Sequence, residues 1–138
     1  MIPDHEVAIR ASWAEVEARA EAIAASFHAR LVEIHPGAAA HFARTERTAY
    51  HCKLAGALGQ MAASLDDPGR LVGLLVSLGR RHAEHGVREE EFAVASEALL
   101  FALREALGER FTPEVEEAWW ELAGLVEAVM RRAVRREA

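Results

Sequence analysis

The chain has 138 residues, of which 51% are hydrophobic and 7% aromatic, and its formal charge is −6. This length allows one domain with one core, which we predict over residues 1–138. The acidic balance argues against nucleic acid as the main partner, because binding to phosphates requires a concentrated positive surface. Alanine, leucine, glutamate and arginine dominate the composition, which favours helices over strands.

No segment of the sequence predicts a membrane span or a secreted protein. No apolar run approaches the roughly 20 residues that a spanning helix needs. The N-terminal residues lack a basic region followed by an apolar block, so we predict no signal peptide. Cys52 is the single cysteine and cannot form an intrachain disulfide. We therefore expect a soluble cytoplasmic protein, either a monomer or a homodimer.

The first half of the chain predicts three amphipathic helices and a corner between the second and the third. Asp4 is expected to cap the first helix, which runs to about Arg19, and the second helix follows to Ile34. Pro36 ends the second helix because the residue before a proline avoids helical geometry. A short turn of helix then closes at Phe42. The remaining predicted segments are a polar loop over about 43–48 and a third helix to about 65.

The second half predicts three more helices with clear start and stop signals. Asp67 is expected to cap a helix that begins at Pro68 and ends at Gly86. The next helix begins near Glu89–Glu91 and stops at Gly108. Thr112 and Pro113 are typical of the start of the last helix.

Together these segments predict an all-α fold of about six long helices and one short corner helix. Brief loops and the absence of repeats leave two architectures open, an up-down bundle and a sandwich of crossed helices. Pro36 favours the crossed helices, because a simple bundle would use longer and more equal helices.

His82 is the most informative single residue. It lies one turn after Leu78 on the apolar side of its helix, where an unpaired polar group costs about 1–3 kcal/mol. A core histidine that donates to a backbone carbonyl is one interpretation. A metal ligand is the other, since neutral imidazole is the commonest such side chain.

Motifs along nearly the whole chain resemble those of globins, in particular bacterial single-domain haemoglobins and neuroglobin-like proteins. The similarity lies in the order and intervals of short segments, each weak alone. They are Ser12-Trp13 with Val16, Phe27–Leu31, His35-Pro36, Phe42, Lys53-Leu54, Leu78–His82, Gly86-Val87 and Glu91-Phe92.

The resemblance implies a globin fold that holds haem b with His82 as the proximal ligand of iron. The second ring nitrogen of His82 would bond to a backbone carbonyl or to a hydroxyl such as that of Ser77. Lys53 and Arg81 are the candidates for binding the two propionates. The residues expected to line the porphyrin faces are Phe42, Leu54, Leu78, Val87 and Phe92.

The same resemblance assigns the distal side of the haem. Tyr50 precedes His82 by 32 residues and falls at the distal position, while His28 lies where many bacterial globins carry tyrosine. A shift of one residue would place His51 in the pocket instead. We favour Tyr50, because that register also places Leu54 over the haem. Hydrogen-bond donors there would suit dioxygen better than carbon monoxide.

The function implied is reversible binding of dioxygen or another diatomic ligand, including nitric oxide and carbon monoxide, for storage or oxygen transport. An alternative is an enzyme, a nitric oxide dioxygenase working with a separate reductase. Phe92 stands where flavohaemoglobins carry a tyrosine, and no glutamate lies at the matching place near Val134, which weakens a dedicated peroxidase. The same residues also allow a gas or redox sensor or electron-transfer globin with six-coordinate iron, and a haem-free interaction module.

The remaining histidines and the cysteine are given structural roles. We expect His5, His35 and His41 to be surface or capping groups. His85 could imitate a two-histidine metal motif with His82, but the Gly86 turn should direct it elsewhere. Cys52 is expected to face away from the haem as a buried or partly buried side chain.

Overall fold

A computed structural model describes residues 1–42 and 46–137 of the chain. Every regular element in these two ranges is a helix, which confirms the all-α prediction of six long helices and a short corner helix. The α-helices are α1 (Pro3–Val16), α2 (Ala20–Ile34), α3 (Arg47–Ala63), α4 (Pro68–Glu84), α5 (Glu91–Leu107) and α6 (Pro113–Glu137). The 3₁₀ helices are Glu17–Arg19, the corner helix Pro36–Phe42, and Gly108–Arg110.

Two of the predicted helix caps are present. The carboxylate of Asp67 accepts a hydrogen bond of 3.1 Å from the Arg70 amide at the start of α4. The hydroxyl of Thr112 accepts one of 3.3 Å from the Val115 amide at the start of α6. Each bond satisfies an amide that has no partner inside its own helix.

The starts of α1 and α3 differ from the prediction. Asp4 lies inside the first turn of α1, because Pro3 already occupies a helical position and Ile2 precedes the helix without a side-chain cap. At α3 the carboxylate of Glu46 accepts from the amides of Thr48 and Ala49. Residues 43–45 of the predicted loop lie outside the described part of the chain.

The core forms where α6 packs against α4, α1 and α5, and where α2 packs against α5 and α3. Trp13 and Trp119 meet edge to face with their ring centroids 6.5 Å apart. The indole N–H of Trp119 donates to the buried Ser12 hydroxyl at 2.9 Å, which satisfies the one polar atom of that ring. The start of α1 is also tied to α6, because Glu121 accepts from the Ile2 amide and lies 2.9 Å from Nδ1 of His5.

The helix that carries His82 approaches α6 at backbone distance. Gly79 is buried in α4, and a Cβ atom added there would lie 2.6 Å from the Cβ of Ala133. It would also lie 3.2 Å from both the Cα and the carbonyl oxygen of Met130. Only the absence of a side chain at Gly79 allows this approach, so the position of α4 is fixed closely by α6.

Over residues 1–42 and 46–137, the structure has no helix with both the length and the apolar character that crossing a membrane requires.

Candidate functional site

His82 lies in the last turn of α4 with its ring held by its own helix. Its Nδ1–H donates to the carbonyl oxygen of Leu78 at 2.6 Å. The sequence left two possible acceptors for this nitrogen, a backbone carbonyl and the Ser77 hydroxyl. In the structure the acceptor is the Leu78 carbonyl, and the Ser77 hydroxyl accepts from Arg81 at 3.3 Å. Because Nδ1 carries the proton in this arrangement, Nε2 of a neutral ring has its lone pair available for a metal.

The surroundings of His82 favour the neutral ring. Burial lowers the pKa of His82 below its ordinary value, and the hydrogen bond to the Leu78 carbonyl opposes this shift. The nearby charges of His85, Arg81 and His41 lower the pKa further. A neutral imidazole is the form that binds a metal ion, so no proton has to be removed before coordination.

One aromatic side chain lies close to this ring, and the other apolar side chains predicted to line the porphyrin remain partly accessible. The ring centroid of Phe92 is 5.9 Å from that of His82, and Phe92 is 6% exposed. The other residues predicted to contact the porphyrin pack against the core but are incompletely buried: Phe42, Leu54, Leu78 and Val87. A flat apolar ligand would cover this remaining surface, which favours its binding.

Four aromatic rings form a second group, which we call the distal cluster: His28, Phe42, Tyr50 and His51. The His28 centroid lies 4.8 Å from Phe42, 5.5 Å from Tyr50 and 5.7 Å from His51. Phe42 and Tyr50 are 4.6 Å apart. The residues of the two alternative registers, Tyr50 and His51, therefore both contact His28, so the geometry does not separate the two registers.

Two polar groups of the distal cluster are buried. The Nε2 atom of His51 is buried and has no hydrogen-bond partner among the described residues. Burial also raises the pKa of the Tyr50 phenol, so this group stays neutral and keeps its proton. A buried polar atom without a partner is costly, and an external ligand that bonds to it would remove that cost.

The other predicted site residues and neighbours lie at the surface. Lys53 and Arg81 are exposed on α3 and α4, so their binding to propionates stays a prediction. Nδ1 of His85 donates to the Arg81 carbonyl at 2.8 Å, which turns this ring back onto its own helix. Cys52 is exposed, not buried as predicted, and its thiol donates to Glu21 at 3.2 Å. That bond raises the pKa of the thiol and keeps it protonated.

His35 is the C-cap residue of α2, in line with the prediction, but neither His35 nor His41 is a simple surface group. Both rings are partly buried and both bond to the carboxylate of Glu91, which is 7% exposed. The physical reason is that a buried carboxylate needs donors, and these two imidazoles supply them. The burial of Glu91 has a signal in the sequence of α5. Glu91 precedes the buried Ala98 and Ala102 at helical spacing, so its side chain falls on the inner face of the helix.

The residues around His82 fit haem, the group implied by the resemblance. The chain offers an imidazole that bonds to its own helix through Nδ1, a partly uncovered apolar lining, and a buried His51 nitrogen that lacks a partner in the described ranges. With haem bound, they would supply the axial ligand, the apolar contact surface and the polar distal group that a haem site needs.

Comparison with known proteins identifies the globin family, in agreement with the motifs of the sequence. The globin family model matches residues 25–130. The flavohemoprotein of Bacillus subtilis (strain 168) is 27% identical over 124 residues, 86% of this chain and 30% of that protein. The flavohemoprotein of Rhizobium meliloti (strain 1021) is 33% identical over 105 residues, 75% of this chain and 26% of that protein.

A neuroglobin from Tetraodon nigroviridis is 38% identical over 68 residues, 49% of this chain and 43% of that protein. The chain thus spans about a third or less of the length of the flavohemoproteins that it matches. The family model, in contrast, covers α3, α4 and α5 completely and most of α2 and α6. The chain therefore belongs to the globin family, whose members are haem proteins that bind small gaseous ligands.

Proposed function

We propose that this globin holds haem b through Nε2 of His82 and binds dioxygen or another diatomic ligand reversibly on the side of the distal cluster. Haem iron supplies the ligand-binding chemistry. The observation that carries the proposal is the bond from Nδ1 of His82 to the Leu78 carbonyl, which fixes the ring and leaves the Nε2 lone pair to iron, while burial favours the neutral form. Phe42, Leu54 and Leu78 would contact the porphyrin faces, and Lys53 and Arg81 would bind the propionates.

The visible absorption spectrum tests this assignment directly. We expect the wild-type chain with haem to show a strong Soret band that sharpens and shifts on reduction with dithionite. His82→Ala should lose or greatly alter this band. His85→Ala is the matched control, because it removes a nearby histidine whose ring bonds to the Arg81 carbonyl of its own helix. An unchanged spectrum in His82→Ala would refute His82 as the iron ligand.

Tyr50, or His51 in the shifted register, would hold the diatomic ligand by a hydrogen bond, with His28 beside it. Both are donors in their neutral forms, and a bond to a group with partial negative charge contributes about 1–3 kcal/mol. Tyr50→Phe removes the hydroxyl and keeps the ring that packs against Phe42 and His28. Loss of that free energy should accelerate the dissociation of dioxygen about 10–100-fold in the variant that lacks the donor. If dioxygen dissociates faster from His51→Phe but not from Tyr50→Phe, His51 is the distal donor and the shifted register is favoured.

A six-coordinate globin is the second candidate, and His51 favours it. Its Nε2 atom is buried without a partner among the residues that the structure describes, as an unused ligand atom would be. In that case the reduced protein would have two axial nitrogen ligands before any gas is added, and a sensor or electron-transfer role would follow. A ferrous spectrum typical of two axial histidines, lost in His51→Phe, would establish this candidate. A five-coordinate ferrous spectrum would exclude it.

Nitric oxide dioxygenation with a separate reductase is the third candidate, and the flavohemoprotein relatives favour it. The chain matches only part of those proteins, so electrons would come from another protein or another segment. Sustained consumption of nitric oxide in aerated solution with a flavin reductase and NADH would support the enzyme. A single stoichiometric consumption, followed by none, would leave reversible ligand binding as the function.

A further inference from the structure

A buried carboxylate joins three segments close to the proximal helix. Glu91, the first residue of α5, accepts hydrogen bonds from Nε2 of His35 at 3.1 Å, Nε2 of His41 at 3.0 Å and the Arg88 amide at 2.9 Å. His35 directly follows the last residue of α2, and His41 lies in the corner helix beside Phe42. The described part of the chain has no group of three or more His, Cys, Asp or Glu arranged to hold a metal ion, so we treat this junction as hydrogen-bonded.

Glu91 stays ionised in this junction. Burial raises its pKa, but the hydrogen bonds from the Arg88 amide, His41 and His35 lower it by more, so the net shift is downward. A buried charge is tolerated only when its partners are held in place, and here three donors supply that compensation. Replacing the carboxylate by an amide therefore leaves one acceptor oxygen for three donors, so the bonds to His35, His41 and the Arg88 amide cannot all be kept.

His41 extends the junction to the end of the proximal helix. Its Nδ1 lies 3.3 Å from the carbonyl oxygen of His85, the residue that caps α4. Both ring nitrogens of His41 thus face acceptor oxygens, and both bonds form together only when both nitrogens carry protons. The chain of contacts runs from Glu91 through His41 to the last turn of α4, the turn that holds His82.

We infer that Glu91 is a positioning residue for the proximal ligand, acting through His41 on the end of α4 and on the corner helix that carries Phe42. This inference rests on the proposed function, since it concerns the ring that would bind iron. The last turn of α4 is also fixed by the Val87 amide, which donates to the His82 carbonyl at 3.0 Å. Through its bond to His41, the neighbour of Phe42, the Glu91 carboxylate supports both the corner helix and the last turn of α4.

Glu91→Gln is the informative variant, because it keeps the size of the side chain and removes the charge. Glu89→Gln is the matched control: Glu89 lies two residues away and pairs with Arg135 at 2.9 Å, outside the junction. In the haem-free chain we expect the His82 ring N–H, seen by proton NMR, to exchange faster with water in Glu91→Gln. The same signal should be unchanged in Glu89→Gln. This readout does not depend on haem.

In the haem-bound ferrous chain we expect Glu91→Gln to shift the iron–histidine stretching band in the resonance Raman spectrum. Haem loss to an excess of apomyoglobin should accelerate about tenfold, at the low end of what loss of an outer partner of a metal ligand costs. If Glu91→Gln does not fold, His41→Gln removes the imidazole that joins Glu91 to the His85 carbonyl and is expected to give the same changes.

The outcomes separate the two proposals. Failure of the wild-type chain to bind haem would refute the proposed function, while the exchange of the His82 ring N–H would still test the positioning. A folded Glu91→Gln with unchanged ring exchange, stretching band and haem loss would overturn the inference. A lower melting temperature with these three readouts unchanged would mean that Glu91 only stabilises the fold.

Discussion

Gly79 allows the proximal helix to contact α6, and replacing it with alanine tests how closely that contact is fitted. The added methyl group would lie 2.6 Å from the Cβ of Ala133 and 3.2 Å from backbone atoms of Met130. Backbone atoms of a packed helix cannot move away as the end of a flexible side chain can. Overpacking of this kind costs about 1–3 kcal/mol.

The helix propensity of alanine works in the opposite direction. Replacing glycine with alanine inside a helix stabilises it by about 1 kcal/mol. Gly73→Ala measures this gain alone, because Gly73 lies in the same helix, is exposed and has nothing within 4 Å of an added Cβ. We expect the difference in free energy of unfolding between Gly79→Ala and Gly73→Ala to be about 1–3 kcal/mol, which is the overpacking alone.

Urea unfolding of the haem-free variants measures this difference. When the free energy of unfolding falls with urea at the same slope in both variants, the difference follows from their unfolding midpoints. For a chain of this size the corresponding difference in melting temperature is about 3–5 °C per kcal/mol. Ala133→Gly removes the nearest atom, so it should recover part of the loss in the Gly79→Ala background. Equal stability of Gly79→Ala and Gly73→Ala would refute the close contact between α4 and α6.

Three further predictions concern the core, the distal cluster and the start of the proximal helix. Ser12→Ala leaves the buried N–H of Trp119 without its acceptor and should cost about 1–3 kcal/mol in urea unfolding; a loss below about 0.5 kcal/mol would contradict that bond. Tyr50 is the only tyrosine, and burial raises its pKa, so the neutral phenol is favoured in the fold: this stability is complete below the unfolded pKa of about 10 and is lost as pH rises above it. Tyrosinate absorbance of the haem-free chain should therefore appear only with alkaline unfolding, and a reversible titration near pH 10 in the folded chain would argue against burial. Asp67→Ala should cost about 1 kcal/mol and speed amide exchange in the first turn of α4, and an unchanged rate at Arg70 would contradict the cap.

Features set by neighbouring residues in the chain could be predicted from the sequence. Pro36 ends α2 as expected, and the helices stop near Gly86 and Gly108, whose φ angles of 82° and 56° suit glycine. The bond between Nδ1 of His82 and the Leu78 carbonyl is likewise local, because the two residues are one turn apart. Helical periodicity and stop signals carry enough information for these features.

Features that depend on distant segments could not be predicted in the same way. The bonds of Glu91 to His35 and His41 join residues 56 and 50 positions apart, and no local pattern specifies such a pairing. Cys52 is exposed because of the rotation of α3 about its axis, which a periodic pattern fixes only approximately. The contacts of both Tyr50 and His51 with His28 have the same origin, since His28 lies in the neighbouring helix α2.

The contacts between α1 and α6 have a consequence for the kinetics of folding. The Trp119–Ser12 bond and the Glu121–Ile2 bond join residues 107 and 119 positions apart, so they close almost the largest loops that this chain can form. The entropy lost in closing such loops is recovered only after the intervening helices have become compact. We therefore expect α1 to dock late, after α2, α4 and α5 have associated. Substitutions at Ser12 should then accelerate unfolding and leave the folding rate nearly unchanged.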